Sequence, residues 1–164
     1  MQFDIKEHID KNKMTGLQYA TVFICLLMNM LDGMDVMVIS YTAPAIVKSW
    51  SITPEALGVV FSAGLLGMTI GALFLAPRAD LIGRKKMILL SAVLMGISIF
   101  STAFAQSIEF LMFIRLVSGI GIGAMLASTA TLTAEYTPNK TKDFWVSFVI
   151  SGYPIGAVLS GLVA

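Results

Sequence analysis

Residues 17–42, LQYATVFICLLMNMLDGMDVMVISYT, decide the fold of this chain, because they form an apolar run long enough to cross a lipid bilayer. A hydrocarbon core about 30 Å thick needs roughly 20 residues in helical form. Backbone polar groups in lipid must be satisfied within the segment, so the run is predicted to be a helix. It is too long for the apolar core of a cleaved signal peptide, which predicts a retained first span.

Four further apolar runs follow at residues 54–77, 87–105, 110–134 and 144–164. The whole chain is 57% hydrophobic and 13% charged, whereas soluble domains are roughly half apolar and a quarter charged. The sequence therefore predicts an all-α polytopic membrane protein. About five transmembrane helices occupy residues 17–164, after a polar tail over residues 1–16. Because residue 164 falls inside an apolar run, we expect the chain to be a fragment of a longer protein.

The positions of the cations predict the orientation, because Lys and Arg are retained on the cytoplasmic side of a membrane. They fall in the tail and in alternate loops, as Lys6, Lys11, Lys13, Arg78, Arg84, Lys85, Lys86, Lys140 and Lys142. The opposite loops contain only Lys48 as a cation. This pattern predicts a multi-pass protein of the cytoplasmic (inner) membrane with a cytoplasmic N-terminus. A net charge of +1 gives no broad basic field for nucleic acid.

A polar stripe interrupts the first span. Asn29, Asp32 and Asp35 recur at every third position and share one helical face, and Gly33 allows another group to approach the backbone there. An Asp at mid-span costs about 2.5 to 3.5 kcal/mol on insertion scales, which favours a functional role. Two close acids at low dielectric predict that one takes up a proton at working pH. The alternative for Asp32 is a carboxyl that faces a watery crevice.

Arg115 in the fourth run is the candidate partner of these acids. It lies about six residues, or roughly 9 Å along a helix, from the outer end near Glu109. Asp35 lies at a comparable distance from the outer end near Tyr41, so the two meet at one depth if their helices are neighbours. Arg115 then either holds a substrate carboxylate through its planar fork or forms a permanent structural salt bridge with Asp35.

Small residues at four-residue spacing predict close helix contacts, since they let backbones approach one another. They are Ala63, Gly67 and Gly71 in the second run, Gly119, Gly123 and Ala127 in the fourth, and Gly152, Gly156 and Ser160 in the fifth. We assign these stripes to packing alone.

The remaining reactive residues give no sign of an enzyme. Cys25 is the only cysteine and His8 the only histidine, the latter in the polar tail where we expect it to be solvated. The sequence has no metal-ligand cluster, phosphate-binding P-loop or nucleophile with a base. It therefore predicts no enzymatic activity, no metal and no cofactor. The coupling ion that we expect, from the two acids of the first span, is the proton.

The segment between the second and third runs, APRADLIGRKK at residues 76–86, is predicted to form a tight turn at Gly83. Asp80 in this turn could bind a helix N-terminus or pair with a cation. The cations Arg84, Lys85 and Lys86 either form a gating loop or serve only to set the topology.

Together these residues resemble the major facilitator superfamily. Its loop signature, Gly-x-x-x-Asp-Arg-x-Gly-Arg-Arg-Lys, is matched at Asp80, Gly83, Arg84, Lys85 and Lys86, while Ala76 replaces the first Gly and Leu81 replaces the Arg. The stretch RLVSGIGIGA, residues 115–124, matches the family's Arg-x-x-x-Gly-x-Gly-x-Gly pattern. The resemblance implies a six-helix N-terminal half, a role for the Arg in proton transfer, and a C-terminal half that is missing here.

Within that superfamily the chain is similar to the aromatic acid and proton symporters. Their Asp-Gly-x-Asp motif matches residues 32–35, DGMD, and AEYTP and GYPIGAVLSG follow later at residues 134–138 and 152–161. The Gly-Pro pair of the antiporter pattern is absent from the last segment. The resemblance implies proton-coupled import of a small organic anion, with both acids taking part. The alternatives are a transporter of a nicotinate-like acid or a sugar, and a non-transporting truncated membrane protein.

Overall fold

A computed structural model describes residues 9–10 and 13–163 of the chain, and all regular structure in these residues is helical. Five helices in this part are long and apolar enough to cross a membrane, which confirms the predicted architecture. They are α1 (Gly16–Trp50), α2 (Pro54–Ile70, with helical turns on to Ile82), α3 (Arg84–Thr102), α4 (Ile108–Tyr136) and α5 (Lys142–Val163). Most of the predicted tail, including Lys6, His8 and Lys11, lies outside the described residues.

The first helix is longer than predicted, since α1 continues past Thr42 to Trp50. Pro44 lies inside it, where a proline removes its own N–H from the helical ladder and its ring crowds the carbonyl four residues earlier. The predicted end was therefore wrong by two turns. The helix ends at Ser51, whose left-handed backbone (φ 51°) stops the α-helical repeat.

The second helix also passes its predicted end at Pro77. It continues through a π-helical turn at Gly71–Leu75 and a 3-10 turn at Ala76–Arg78 to a last α-helical turn at Ala79–Ile82. Such changes of helical pitch accommodate a proline that cannot donate to the ladder.

Gly83 makes the break between α2 and α3, with φ 98° and ψ 133°, a backbone conformation that favours glycine. The predicted turn at this residue is confirmed. The three cations after it were wrongly assigned to the loop, because Arg84, Lys85 and Lys86 form the first turn of α3. The ends of α4 and α5 lie within two residues of their predicted positions.

The bundle is built from two close helix pairs, α1 with α5 and α2 with α4, and α3 packs against α4. Glycines lie where the backbones approach most closely: an added Cβ on Gly156 would overlap the Met30 carbonyl, and one on Gly123 would overlap the Met68 carbonyl. The glycines of the predicted stripes therefore pack against neighbouring helices, as the spacing indicated. Gly33 likewise lies against the Tyr153 carbonyl.

We expect Gly156→Ala to destabilise the α1–α5 pair, because its methyl group would collide with backbone that cannot rotate away. The expected loss is about 1–3 kcal/mol, the usual range for overpacking. Thermal unfolding of the detergent-solubilised protein measures it. Gly58→Ala is the matched control, since nothing lies within 4 Å of its added Cβ, and it should keep or raise the melting temperature. Equal melting temperatures for both variants would contradict the packing assignment.

Candidate functional site between α1 and α4

The polar stripe of α1 is buried inside the bundle. Asn29 and Asp32 are each 1% exposed and Asp35 is 6% exposed. Their spacing of three residues places all three on one face of the helix, and α1 directs this face towards α4. The structure thus brings the predicted site residues of α1 together with those of α4 in the interior of the five helices.

Asp35 and Arg115 form a buried ion pair, with 3.1 Å between Asp35 Oδ2 and Arg115 Nη1. The same guanidinium nitrogen donates to the Asp35 carbonyl oxygen at 3.3 Å. Ser118, one turn further along α4, donates its hydroxyl to Asp35 Oδ2 at 2.9 Å. The two charges therefore meet, as predicted for neighbouring helices. The Asp35 carboxylate thus accepts from one cation and one hydroxyl donor.

Asp32 has a different environment, although it belongs to the same stripe. Both of its carboxylate oxygens are buried and have no hydrogen-bond partner in the described part of the chain. Asp32, Asp35 and Arg115 line one cavity of about 430 Å³ between α1, α3 and α4, whose other walls include Met28 and Met95. A buried carboxylate with no donor is costly, so nothing among the described residues offsets a charge on Asp32 as Arg115 does for Asp35.

Asn29 links the stripe to a residue that sequence reasoning missed. Its Nδ2 donates to the Cys25 carbonyl oxygen at 2.9 Å and to the Thr129 hydroxyl at 3.0 Å. Ser118 and Thr129 lie three and fourteen residues after Arg115, close to its face on an α-helix. Helical periodicity counted from Arg115 would have identified Ser118 and Thr129 as hydroxyl-bearing residues near its face of α4.

A second polar cluster connects α2, α3 and α4 at the end of the bundle that holds Gly83. Arg84 pairs with Asp80 through Nη2 and Oδ1 at 2.8 Å, and with Glu135 through Nε and Oε1 at 2.8 Å. Asp80 thus pairs with a cation, one of its two predicted roles, and Glu135 is an addition. Lys85 and Lys86 are exposed, as is Leu81 at 88%.

Five apolar helices that enclose an arginine, its partner acid and a second acid define a polytopic membrane protein with charge at membrane depth. Such charge is characteristic of substrate and ion pathways. The chain belongs to the major facilitator superfamily, whose family model matches residues 25–164.

Curated relatives of the chain include bacterial transporters of aromatic acids. The chain is 34% identical to a gallate transporter of Pseudomonas putida, over 98% of this chain and 36% of the relative. It is 33% identical to a 4-hydroxybenzoate transporter of Pseudomonas aeruginosa, over 99% of this chain and 36% of the relative. A niacin transporter of Acinetobacter baylyi is 27% identical over 98% of this chain and 37% of the relative. The chain thus spans little more than a third of the length of these relatives.

Proposed function

We propose that this chain is the first part of a proton-coupled symporter that imports aromatic acids or related small carboxylates across the cytoplasmic membrane. One observation carries the proposal. Asp32 lies without a hydrogen-bond donor in the same cavity as the paired Asp35 and Arg115. Such a site contains one acid suited to carry a proton, Asp32, and one acid paired with a cation, Asp35. Coupling of proton movement to substrate movement requires both.

Asp32 is the proton carrier in this mechanism. Desolvation without a compensating donor favours its neutral form. Loss of the proton from Asp32 places a second negative charge beside Asp35 inside the bundle. This ionised state is favourable only after the surroundings of Asp32 have changed. Release of the proton is therefore tied to a conformational step that brings water or a cation to Asp32.

Arg115 couples the proton to the substrate. In the structure only Nη1 contacts Asp35, and the buried Nε has no partner among the described residues. The guanidinium therefore has spare donors for a carboxylate, which a planar fork binds well. The names of the gallate and 4-hydroxybenzoate relatives support an aromatic carboxylate as that substrate.

The proposed orientation has a cytoplasmic N-terminus. The end of the bundle that contains Gly83 also carries Arg84, Lys85 and Lys86, and the α4–α5 loop at the same end carries Lys140. A cluster of cations at one end supports retention of that end in the cytoplasm. The lipid bilayer and the missing C-terminal half complete the proposed set of partners.

Uptake of radiolabelled acids by cells that produce the complete transporter tests the function. We expect 4-hydroxybenzoate, gallate or benzoate to accumulate when the external pH is lowered, and a protonophore to abolish that accumulation. A neutral sugar should not accumulate. A non-transporting membrane protein would give the same uptake as cells without it, and uptake that survives the protonophore would contradict proton coupling.

Nicotinate is a second candidate substrate, because the niacin transporter of Acinetobacter baylyi matches nearly the whole chain. Its carboxylate on an aromatic ring would use the same Arg115. Competition by unlabelled nicotinate against labelled 4-hydroxybenzoate separates the two, since the preferred acid displaces the other at the lower concentration.

A further inference from the structure

We propose that Gly64 is a specificity-determining residue, and that the aromatic ring of the substrate occupies the cavity between α1, α2 and α4 that this glycine helps to line. The inference rests on the proposed function, because it names the place where an acid bound by Arg115 puts its ring. The cavity has a volume of about 120 Å³, and Gly64, Arg115 and Ser118 are among its lining residues. Its apolar walls include Val36, Ile39, Phe61, Leu65, Met68 and Ile122.

Arg115 lines two different cavities. One is this α1–α2–α4 cavity, and the other is the cavity of about 430 Å³ between α1, α3 and α4 that also contains Asp32 and Asp35. A carboxylate can therefore approach the guanidinium from either of two sides. The two sides differ in charge and in size.

The charges favour the α1–α2–α4 cavity as the side that receives an anion. Arg115 is the charged residue among those that line it. The α1–α3–α4 cavity contains two acids, and Asp32 has no partner there in the described part of the chain. Because like charges repel strongly at low dielectric, an anionic substrate is better placed on the side without acids. Arg115 then separates the substrate from the acid that carries the proton.

The size and the lining of the smaller cavity suit one aromatic ring. A cavity of roughly 150 Å³ with apolar walls is enough to bind benzene, and this one measures about 120 Å³. Phe61 in its wall offers an aromatic partner for the ring. The α1–α3–α4 cavity is more than three times larger, so a single ring would leave much of it unfilled.

Helix packing does not explain why residue 64 lacks a side chain. A Cβ added to Gly64 would meet only the Arg115 carbonyl oxygen, at 3.8 Å, which is ordinary van der Waals contact. A Cβ on Gly67 or Gly71 of the same helix would instead overlap the backbone of α4. Since glycine is less favourable than alanine inside a helix, we assign the missing side chain at Gly64 to the space that it leaves beside Arg115.

Gly64→Ala and Gly64→Val test the inference, because each fills part of the cavity without a clash against backbone at the Cβ. We expect the KM of the complete transporter for 4-hydroxybenzoate to rise by about tenfold in Gly64→Ala, the scale of overpacking by a methyl group. It should rise further in Gly64→Val. The maximal rate, normalised to protein in the membrane, should stay near that of the wild type, since the ion pair of Asp35 and Arg115 is intact.

Gly96→Ala is the matched variant for the other cavity. Gly96 lines the α1–α3–α4 cavity, and nothing lies within 4 Å of its added Cβ. It should keep the wild-type KM, as should Gly58→Ala, whose added Cβ also meets nothing within 4 Å. A higher KM in Gly96→Ala, with an unchanged KM in Gly64→Ala, would place the ring in the larger cavity and overturn the inference.

Two further results would also overturn it. One is an unchanged KM in Gly64→Val with normal protein in the membrane; if that variant does not reach the membrane, an unchanged KM in Gly64→Ala decides. The other is a lower maximal rate at the wild-type KM, which is what a merely structural role of Gly64 predicts. The proposed function fails separately, when the wild-type protein takes up no aromatic acid.

Discussion

Asp35→Asn should abolish uptake, with initial rates at least about 100-fold below those of the wild type, because it leaves Arg115 as a buried charge without an anionic partner. Breaking a buried ion pair by removing one member typically costs about 3–5 kcal/mol. Ser118 cannot compensate, since its hydroxyl carries no charge and donates to the same Asp35 oxygen. Initial rates of labelled 4-hydroxybenzoate uptake, normalised to protein in the membrane, measure the effect.

The double variant Asp35→Asn with Arg115→Gln separates structure from function. It has no unpaired charge, and removing both charges of a buried ion pair together is far less destabilising than removing one of them. We expect its melting temperature to return towards that of the wild type while uptake stays absent. If uptake returned together with stability, the pair would be only a structural salt bridge, and Arg115 would have no part in coupling.

The sequence predicted that Asp35 and Arg115 could meet, from residue counts to the outer helix ends converted into distance by the helical rise. The pair does form, but the count for Asp35 started from an end near Tyr41, whereas the helix continues to Trp50. Equal distance from the helix ends is therefore not what brings the two residues together. The predicted end was set by the length of the apolar run, whereas the helix continues through Pro44, a residue type that often terminates helices. Hydropathy alone cannot distinguish these outcomes.

The hydrogen-bonding environments of the two acids could not be predicted in the same way. Asp32 and Asp35 belong to one motif and one helical face, yet Asp35 has two donors and Asp32 has none. That difference depends on which residues of α4 lie opposite each acid, and hence on the crossing of α1 and α4. Close contacts at glycines such as Gly119 and Gly33 fix the positions of these helices against α2 and α5. Sequence spacing indicates that helices approach there, but not which ones.

The cations after Gly83 illustrate a further limit. Composition predicted a charged loop, whereas Arg84 begins a helix and joins Asp80 to Glu135. Positive side chains in a first turn are unfavourable to the helix dipole, so a pattern-based prediction avoids that assignment. The two acids offset the charge of Arg84, and one of them comes from α4, more than fifty residues away along the chain.

Asp32→Asn should separate transport from its driving force. An amide resembles the protonated acid but cannot release a proton, so the variant is fixed in the loaded form. We expect accumulation driven by a pH gradient to be lost, while exchange of internal for external substrate, which needs no proton release, continues. In vesicles, a gradient of one pH unit supports about tenfold accumulation for each proton carried. The variant should only equilibrate, with an internal to external ratio near one.

Glu55→Gln is the matched control for this experiment, since Glu55 is an exposed carboxyl at the start of α2 and should keep wild-type accumulation. Vesicles without the protein correct for passive entry of the neutral aromatic acid. Loss of exchange together with accumulation would mean that Asp32 binds substrate or supports the fold. Full accumulation in Asp32→Asn would remove it as the proton carrier and leave Asp35 as the remaining acid of the stripe. Because Asp35 already has Arg115 and Ser118 as partners, a proton could then reach it only after that pair separates, so coupling would require opening the ion pair in every cycle.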